Sequence, residues 1–301
     1  RATKLGSDVG VLAKSQEFET AFDFEPNDWF FQSAEAQSVM PFSVLLEAVL
    51  QSCGFLANYS GATLNSKQDL FFRNLDGSIF IHDPILAQKG SLLTKLKLVS
   101  QSKNAETIIQ KFALAAYLNG KKIAEVNTVF GFFTRDDLDK QNGLTITDAE
   151  QQLITLGSGE PLPLEAVNGR LPHQKLVTID KVEFFPNAGQ CGLGVIKGVQ
   201  AVLEDSWYFK AHFFQDPVQP GSLGLEAFHN LMRIYVGEKH DAAAEAITYE
   251  QQPLNWSYRG QVTPNNDHVI TVVDIKKITD HELVADGYLW ADTLPIYTAK
   301  G

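Results

Sequence analysis

The sequence predicts an α+β fold built twice, in which each copy combines one long apolar helix with an antiparallel sheet. Three observations predict it: a motif that occurs twice, an apolar helix after each copy of the motif, and strand-like runs after each helix. With 301 residues, 44% of them hydrophobic, the chain is long enough for two domains of ordinary size. We place these domains at residues 1–145 and 169–301, joined by a polar, glycine- and proline-containing linker at residues 146–168.

The motif is complete in the second half only. There, Trp207-Tyr208-Phe209 precedes His212, and Asp216-Pro217-Val218-Gln219-Pro220-Gly221 leads into a helix that carries Glu226. The first half keeps Trp29-Phe30-Phe31, Pro41 and Glu47, but Ser33 or Ala34 stands where the histidine is expected. The repeat therefore predicts a duplicated domain with one working site.

Hydrophobic patterning places the elements of both copies. Residues 44–57 and 223–236 are apolar on nearly every face, which predicts two buried helices. Asn119-Gly120 is a hairpin turn signal between two of the predicted strands. The strand-like runs are residues 78–82, 92–100, 107–118, 122–134, 175–185, 194–203, 254–263, 268–275, 283–290 and 294–298.

The residues of the motif favour proton-transfer chemistry. Aromatic neighbours disfavour a charged imidazole, so His212 would be a neutral proton acceptor. The prolines fix the backbone, and Gly221 permits close approach to a helix N-terminus, whose N–H groups can polarise a carbonyl. Glu47 and Glu226 lie in apolar helices, where a carboxyl group either stays protonated as a general acid or forms a structural ion pair. Together these groups suit proton removal beside a thioester carbonyl.

Composition narrows the class of partner and the compartment. The formal net charge of −11 disfavours nucleic acid and anionic membrane surfaces as partners. Cys53 and Cys191 have neither disulfide nor metal-ligand spacing, which fits a reducing, cytoplasmic setting without a metal site. The glycine-rich residues 189–194 lie between strand-like runs and open no helix, so they predict a turn rather than a phosphate site. A chain that begins at Arg1 and ends at Gly301 suggests a piece of something longer.

The second motif resembles that of the bacterial 3-hydroxydecanoyl-acyl-carrier-protein dehydratases, which have the hot-dog fold. Residues 207–226 match the family pattern, and residues 258–262, 285–287 and 296–298 resemble its later strands. Two fused copies, one without the histidine, resemble a dehydratase region of a polyunsaturated fatty acid synthase or a polyketide-type megasynthase. This chain departs from the pattern at Gln219 (usually Met), Glu226 (Asp in the closest relatives) and Phe42 (glycine).

The resemblance implies a double hot-dog fold and dehydration of 3-hydroxyacyl thioesters to 2-enoyl thioesters, with or without double-bond isomerisation. It implies an active site between the two hot dogs, in which His212 takes the C2 proton and Glu47 protonates the departing hydroxyl. Val218 would orient the imidazole through its carbonyl, Gly221 would stabilise the thioester oxygen, and Phe213 and Pro220 would line the substrate site. No cofactor is implied beyond the phosphopantetheine arm of an acyl carrier protein, which is the expected partner together with other megasynthase domains.

Two other functions remain open at this point. A hot-dog thioesterase would use a carboxylate and water and would not need His212, and a docking or scaffold module would use neither. Because carrier proteins are acidic and this chain is too, docking needs a local basic patch. The candidates are Lys210, Lys276, Lys277 and Arg233.

Overall fold

The computed structural model describes residues 1–11, 17–32, 39–64, 66–164, 171–239, 252–280 and 282–300. These residues fall into two compact units. The first unit comprises the described residues within 1–31, 37–141 and 248–255, and the second those within 32–36, 142–247 and 256–301. Each unit contains one long helix and antiparallel strands, so the predicted α+β class is confirmed.

The first unit is built on helix α1 (Phe42–Tyr59). The strands of this unit, which pair antiparallel in the order β1-β2-β4-β5-β6-β3, are β1 (Ala2–Lys4), β2 (Glu17–Phe24), β3 (Phe71–Ile81), β4 (Gly90–Asn104), β5 (Thr107–Leu118) and β6 (Lys121–Phe133). A short helix, α2 (Arg135–Asp139), follows the last strand.

The apolar pattern explains how this sheet and helix pack. Every second residue of β5 is buried, and α1 contacts β2, β4 and β5. The side chains of Leu46, Val49 and Cys53 on α1 have no exposed surface. Asn119 and Gly120 both adopt left-handed backbone angles, with φ of 52° and 81°, which confirms the predicted hairpin turn.

The second unit is built on helix α5 (Gly221–Lys239). It also contains two short helices, α3 (Asp148–Gln152) and α4 (Trp207–Ala211). The strands, in the sheet order β10-β13-β12-β11-β9-β8-β7, are β7 (Glu160–Pro161), β8 (Lys181–Phe185), β9 (Val195–Ala201), β10 (Leu254–Tyr258), β11 (His268–Ile278), β12 (Leu283–Ala291) and β13 (Leu294–Lys300). Strand β10 belongs to this unit from Trp256 onward.

Helix α5 lies close against β9, β11 and β12. A Cβ atom on Gly287 would come within 2.7 Å of the Phe228 ring, so only glycine permits this approach of helix and sheet. Both predicted helices are therefore present, each a few residues longer than predicted. Within the described part of the chain, no helix is long and apolar enough to cross a membrane.

Three predicted strands differ clearly from the observed ones. The run at residues 78–82 falls at the end of a longer strand, β3, which begins at Phe71. The run at residues 175–185 is a strand only from Lys181, because Gln174–Leu176 form a 3₁₀ turn in which the His173 imidazole accepts a hydrogen bond from the Lys175 amide at 3.2 Å. The run at residues 254–263 is a strand only to Tyr258. There, Gly260 lies against Ile296, where a Cβ would be 2.3 Å from a side-chain carbon.

The N-terminal part of the predicted linker is packed on the second unit. Glu150 of α3 accepts a hydrogen bond from the Tyr288 hydroxyl at 2.7 Å, and Leu153 joins a buried cluster with Val272 and Trp290. Burial of the Glu150 carboxyl acts to raise its pKa, but hydrogen bonds from Thr147 and Tyr288 outweigh this and lower the pKa to about 2. The boundaries proposed from sequence, 145 and 169, stay predictions.

Candidate active site

His212 is held by the short helix that precedes it. Tyr208 and Phe209 of α4 are 2% and 5% exposed, so this helix is anchored in the core of the second unit. The His212 amide continues the helix by donating to the Tyr208 carbonyl at 3.0 Å. The ring of Phe213 stacks on the imidazole with a centroid separation of 4.0 Å.

The Val218 carbonyl sets the tautomer of His212. The Nδ1 atom lies 3.0 Å from the Val218 oxygen. A carbonyl oxygen can only accept a hydrogen bond, so Nδ1 must carry the hydrogen, and in the neutral ring the lone pair lies on Nε2. The geometry therefore prepares Nε2 to accept a proton.

The proline-rich loop fixes that carbonyl in place. Val218 and Gln219 are each 3% exposed and Pro220 is buried. The Gln219 amide donates to the Val262 carbonyl at 3.0 Å, which ties the loop to the segment after β10. Gln215, at the start of the loop, has a φ of +56°, a backbone conformation that few non-glycine residues adopt.

Gly221 is the first residue of α5 and packs closely against the ring of Tyr258. A Cβ atom on this residue would lie 2.6 Å from the Tyr258 ring. No other residue fits here without moving Tyr258, and the first N–H groups of α5 lie at this position, as the sequence predicts. The tight contact with Tyr258 was not predicted.

Glu226 forms an ion pair in the core of the second unit. Its carboxylate has no exposed surface, and Oε1 accepts a hydrogen bond from Arg233 Nη1 at 2.8 Å. The same guanidinium nitrogen donates to Asn230 Oδ1 at 3.0 Å, and Asn230 donates to the Leu176 carbonyl at 3.1 Å. The sequence left open whether Glu226 is a general acid or part of a structural ion pair, and the structure shows the ion pair.

His229 lies on the same helix, one turn after Glu226. Its Nδ1 atom is 3.0 Å from the Leu225 carbonyl. Burial lowers the pKa of His229 to about 4, with the Glu226 charge opposing that shift. Sequence analysis did not identify the network of Glu226, Arg233, Asn230 and His229, although spacings of three, four and seven residues place its members on one helix face.

Glu47 lies on α1 of the first unit. Its side chain is half-buried between fully buried positions such as Leu46 and Val49. Phe42, which replaces the glycine expected at the start of this helix, is 1% exposed. Ser33 and Ala34, the positions aligned with His212, lie outside the described residues.

The glycine-rich residues 189–194 form the predicted turn. Gly189, Gly192 and Gly194 have φ of 84°, 66° and 118°. The Gln190 amide donates to the buried Asp274 carboxylate at 3.2 Å, so the turn is fixed from within. It opens no helix and offers no phosphate site of the kind that such sequences can form.

Comparisons with known proteins identify relatives over most of the chain. The family model described as FabA-like domain matches residues 13–127 and 171–300. One of the subunits of a polyunsaturated fatty acid synthase from Thraustochytrium sp. is 28% identical over 307 aligned residues, covering 92% of this chain and 20% of the relative. The chain thus spans about one fifth of the length of that relative.

Solved structures share the fold at low sequence identity. A polyketide synthase dehydratase domain from Brevibacillus brevis superposes with a TM-score of 0.53 at 11% identity, covering 98% of this chain and 94% of that one. An oleoyl thioesterase from Lactobacillus plantarum superposes with a TM-score of 0.54 at 8% identity, covering 98% and 96%. The double hot-dog fold predicted from the sequence is confirmed.

Proposed function

Because the chain belongs to the FabA-like domain family, we propose that it dehydrates 3-hydroxyacyl thioesters to 2-enoyl thioesters. The acyl group is carried on the phosphopantetheine arm of an acyl carrier protein in the synthesis of fatty acids, polyunsaturated fatty acids or polyketides. The observation that carries this proposal is the 3.0 Å contact between His212 Nδ1 and the Val218 carbonyl, which leaves Nε2 as a base. No further cofactor takes part in the proposed reaction.

In the proposed reaction, His212 Nε2 removes a proton from C2 of the acyl chain. The electron pair of that C–H bond passes first into an enolate-like thioester, whose oxygen is stabilised by the Gly221 amide at the start of α5. It then forms the C2–C3 double bond as the C3–O bond breaks. Glu47 donates a proton to the departing hydroxyl, which leaves as water.

Two observations support Glu47 rather than Glu226 as the acid. Glu226 has no exposed surface and is already bound to the Arg233 guanidinium at 2.8 Å, so its carboxylate takes part in a structural ion pair. The family resemblance places histidine and acid on different hot dogs, and this chain has a single histidine in its two motif copies. The proposed site therefore combines His212 of one half with Glu47 of the other.

A hot-dog thioesterase is the rival enzyme, and the fold does not separate the two because both classes superpose on this chain. The oriented histidine favours the dehydratase. Incubation with a 3-hydroxyacyl carrier protein followed by mass spectrometry distinguishes them, since a dehydratase removes one water and a thioesterase releases a free acid. A scaffold module would leave the substrate unchanged.

The same assay with His212→Asn tests the role of the imidazole. Loss of a general base should reduce the rate by roughly 10²–10⁴. Retention of full dehydration by His212→Asn would refute the mechanism. A product with the double bond moved from C2 to C3 would add isomerase activity to the proposal.

A further inference from the structure

The helix and turn around His212 expose apolar surface. Trp207 of α4 is 41% exposed, and Phe214, two residues after His212, is 90% exposed. Lys210 is exposed on the same short helix. We refer to Trp207, Lys210 and Phe214 as the α4 patch.

The members of the α4 patch lie within eight consecutive residues, 207–214, which also include His212. Trp207 and Lys210 are three residues apart on α4 and therefore share a helix face. The Cα atoms of Phe214 and His212, two residues apart, are separated by at most about 7 Å. Phe213 stacks on the imidazole, whereas the next ring, Phe214, is exposed to solvent and can contact a partner.

The α4 patch also carries a positive charge that is available to a partner. Of the four basic residues predicted to dock a carrier, three form ion pairs: Arg233 with Glu226, Lys276 with Asp274 at 2.6 Å, and Lys277 with Glu282. Among the described residues, Lys210 forms no ion pair with a carboxylate. The structure therefore reduces four candidates to one.

We propose that the α4 patch is the docking surface for the acidic surface of the acyl carrier protein; this inference rests on the proposed function. A chain of net charge −11 repels an acidic partner except where a cation is locally uncompensated, which Lys210 provides. Exposed aromatic rings next to a charge are typical of the anchors that hold protein interfaces. Docking here delivers the phosphopantetheine arm beside His212.

Two acidic residues set the orientation of the partner on the patch. Glu204 and Asp205 are exposed and immediately precede the N-cap residue of α4, Ser206, at the end of the helix away from Lys210. Acidic side chains of the carrier would be repelled at this end and attracted at the other. Glu204→Lys should therefore strengthen docking, opposite to the effect of Lys210→Glu.

The test compares carrier-bound and free substrates for Lys210→Glu and Phe214→Ser. Each change should raise KM for a 3-hydroxyacyl carrier protein by about tenfold and leave kcat unchanged, because rim charges and exposed anchors act on binding. Turnover of the corresponding pantetheine thioester should be unaffected. For Lys210→Glu, the difference from wild type should shrink at high salt, where exposed charges are screened.

Lys111→Glu is the matched control, since Lys111 is an exposed lysine on β5 of the first unit and its reversal changes net charge equally. An equal rise in KM for Lys111→Glu and Lys210→Glu would overturn the proposal in favour of a general charge effect. Unchanged KM for Lys210→Glu and Phe214→Ser would overturn it as well. An equal loss on both substrates would do the same, because it would indicate damage to the active site.

Binding measured without catalysis separates this inference from the proposed function. Fluorescence anisotropy of a labelled holo acyl carrier protein should give a Kd about tenfold weaker for Lys210→Glu than for wild type. If wild type binds the carrier in this way but dehydrates no substrate, the proposed function fails and docking stands. Absence of binding, or self-association of the chain that depends on Phe214, would refute docking alone.

Discussion

Removal of the Arg233 guanidinium tests whether Glu226 serves stability rather than catalysis. Arg233→Met keeps the apolar stem but removes the cation that lies 2.8 Å from a carboxylate with no exposed surface. Loss of one partner of a buried ion pair costs about 3–5 kcal/mol, because the remaining carboxylate loses the cation that lies against it and stays shielded from water. For a domain of about 150–250 residues, each kcal/mol lost lowers the melting temperature by about 2–4 °C, so the melting temperature should fall by about 6–20 °C.

Thermal unfolding followed by near-UV circular dichroism measures this loss. In the Glu226→Gln/Arg233→Met double variant, the loss should be less than the sum of the two single losses.

Lys140→Met provides the control, because Lys140 and Asp136 form an ion pair whose side chains are 71% and 72% exposed, and such pairs contribute about 0–1 kcal/mol. If Arg233→Met melts as close to wild type as Lys140→Met does, or if the losses from the two single changes simply add, the Glu226–Arg233 pair is not stabilising. Glu226 would then return as a candidate acid.

The remaining predictions address the acid, the helix start and the dependence on pH. Glu47→Gln should lower the dehydration rate by roughly 10² or more, and Glu226→Gln should lower it much less when assayed at a temperature where both variants are folded; the reverse order would contradict a site that combines the two halves. Gly221→Ala should cost about 1–3 kcal/mol in a melting experiment, because its Cβ would lie 2.6 Å from Tyr258, whereas Gly157→Ala, with no atom within 4 Å, should be close to neutral. Burial lowers the folded-state pKa of His229 to about 4, so the unfolded chain binds the extra proton and stability should fall as the pH drops from about 6.5 to 4; urea midpoints for His229→Gln should show a flatter profile in this window. For Glu150, whose folded-state pKa is about 2, stability should be fully present above about pH 4.5 and lost between about 4.5 and 2, and Glu150→Gln should remove this dependence.

The long elements could be predicted because local patterning decides them. Helix α1, strand β5 and the Asn119-Gly120 hairpin follow from apolar periodicity and turn chemistry. The 3₁₀ turn at Gln174–Leu176 could not, because Leu176 and Val177 continue the apolar pattern of the following strand while the His173 side chain caps a turn. Competition between local side-chain hydrogen bonds and the sheet is not visible in hydropathy.

Some contacts of the candidate site could be predicted from the sequence and others could not. The contact of His212 with the Val218 carbonyl follows from a resemblance between motifs. The role of Glu226 does not, since a carboxylate in an apolar helix has the same pattern whether it donates protons or pairs with a cation. Arg233, seven residues later, lies on the same helix face, but only the structure shows that its guanidinium reaches Glu226.

The contact between Glu150 and Tyr288 has a consequence for transferring the second hot dog into a different protein. A breakpoint at residue 169 would discard α3 together with Leu153 and leave Tyr288 without its carboxylate partner. Val272 and Trp290, which pack in one buried cluster with Leu153, would then form an exposed apolar surface that favours aggregation of the transferred half. A breakpoint at residue 142, where the second compact unit resumes after residue 141, keeps α3 and Leu153 in the transferred segment. Chimaeras cut at residue 142 should therefore stay soluble, and those cut at residue 169 should aggregate.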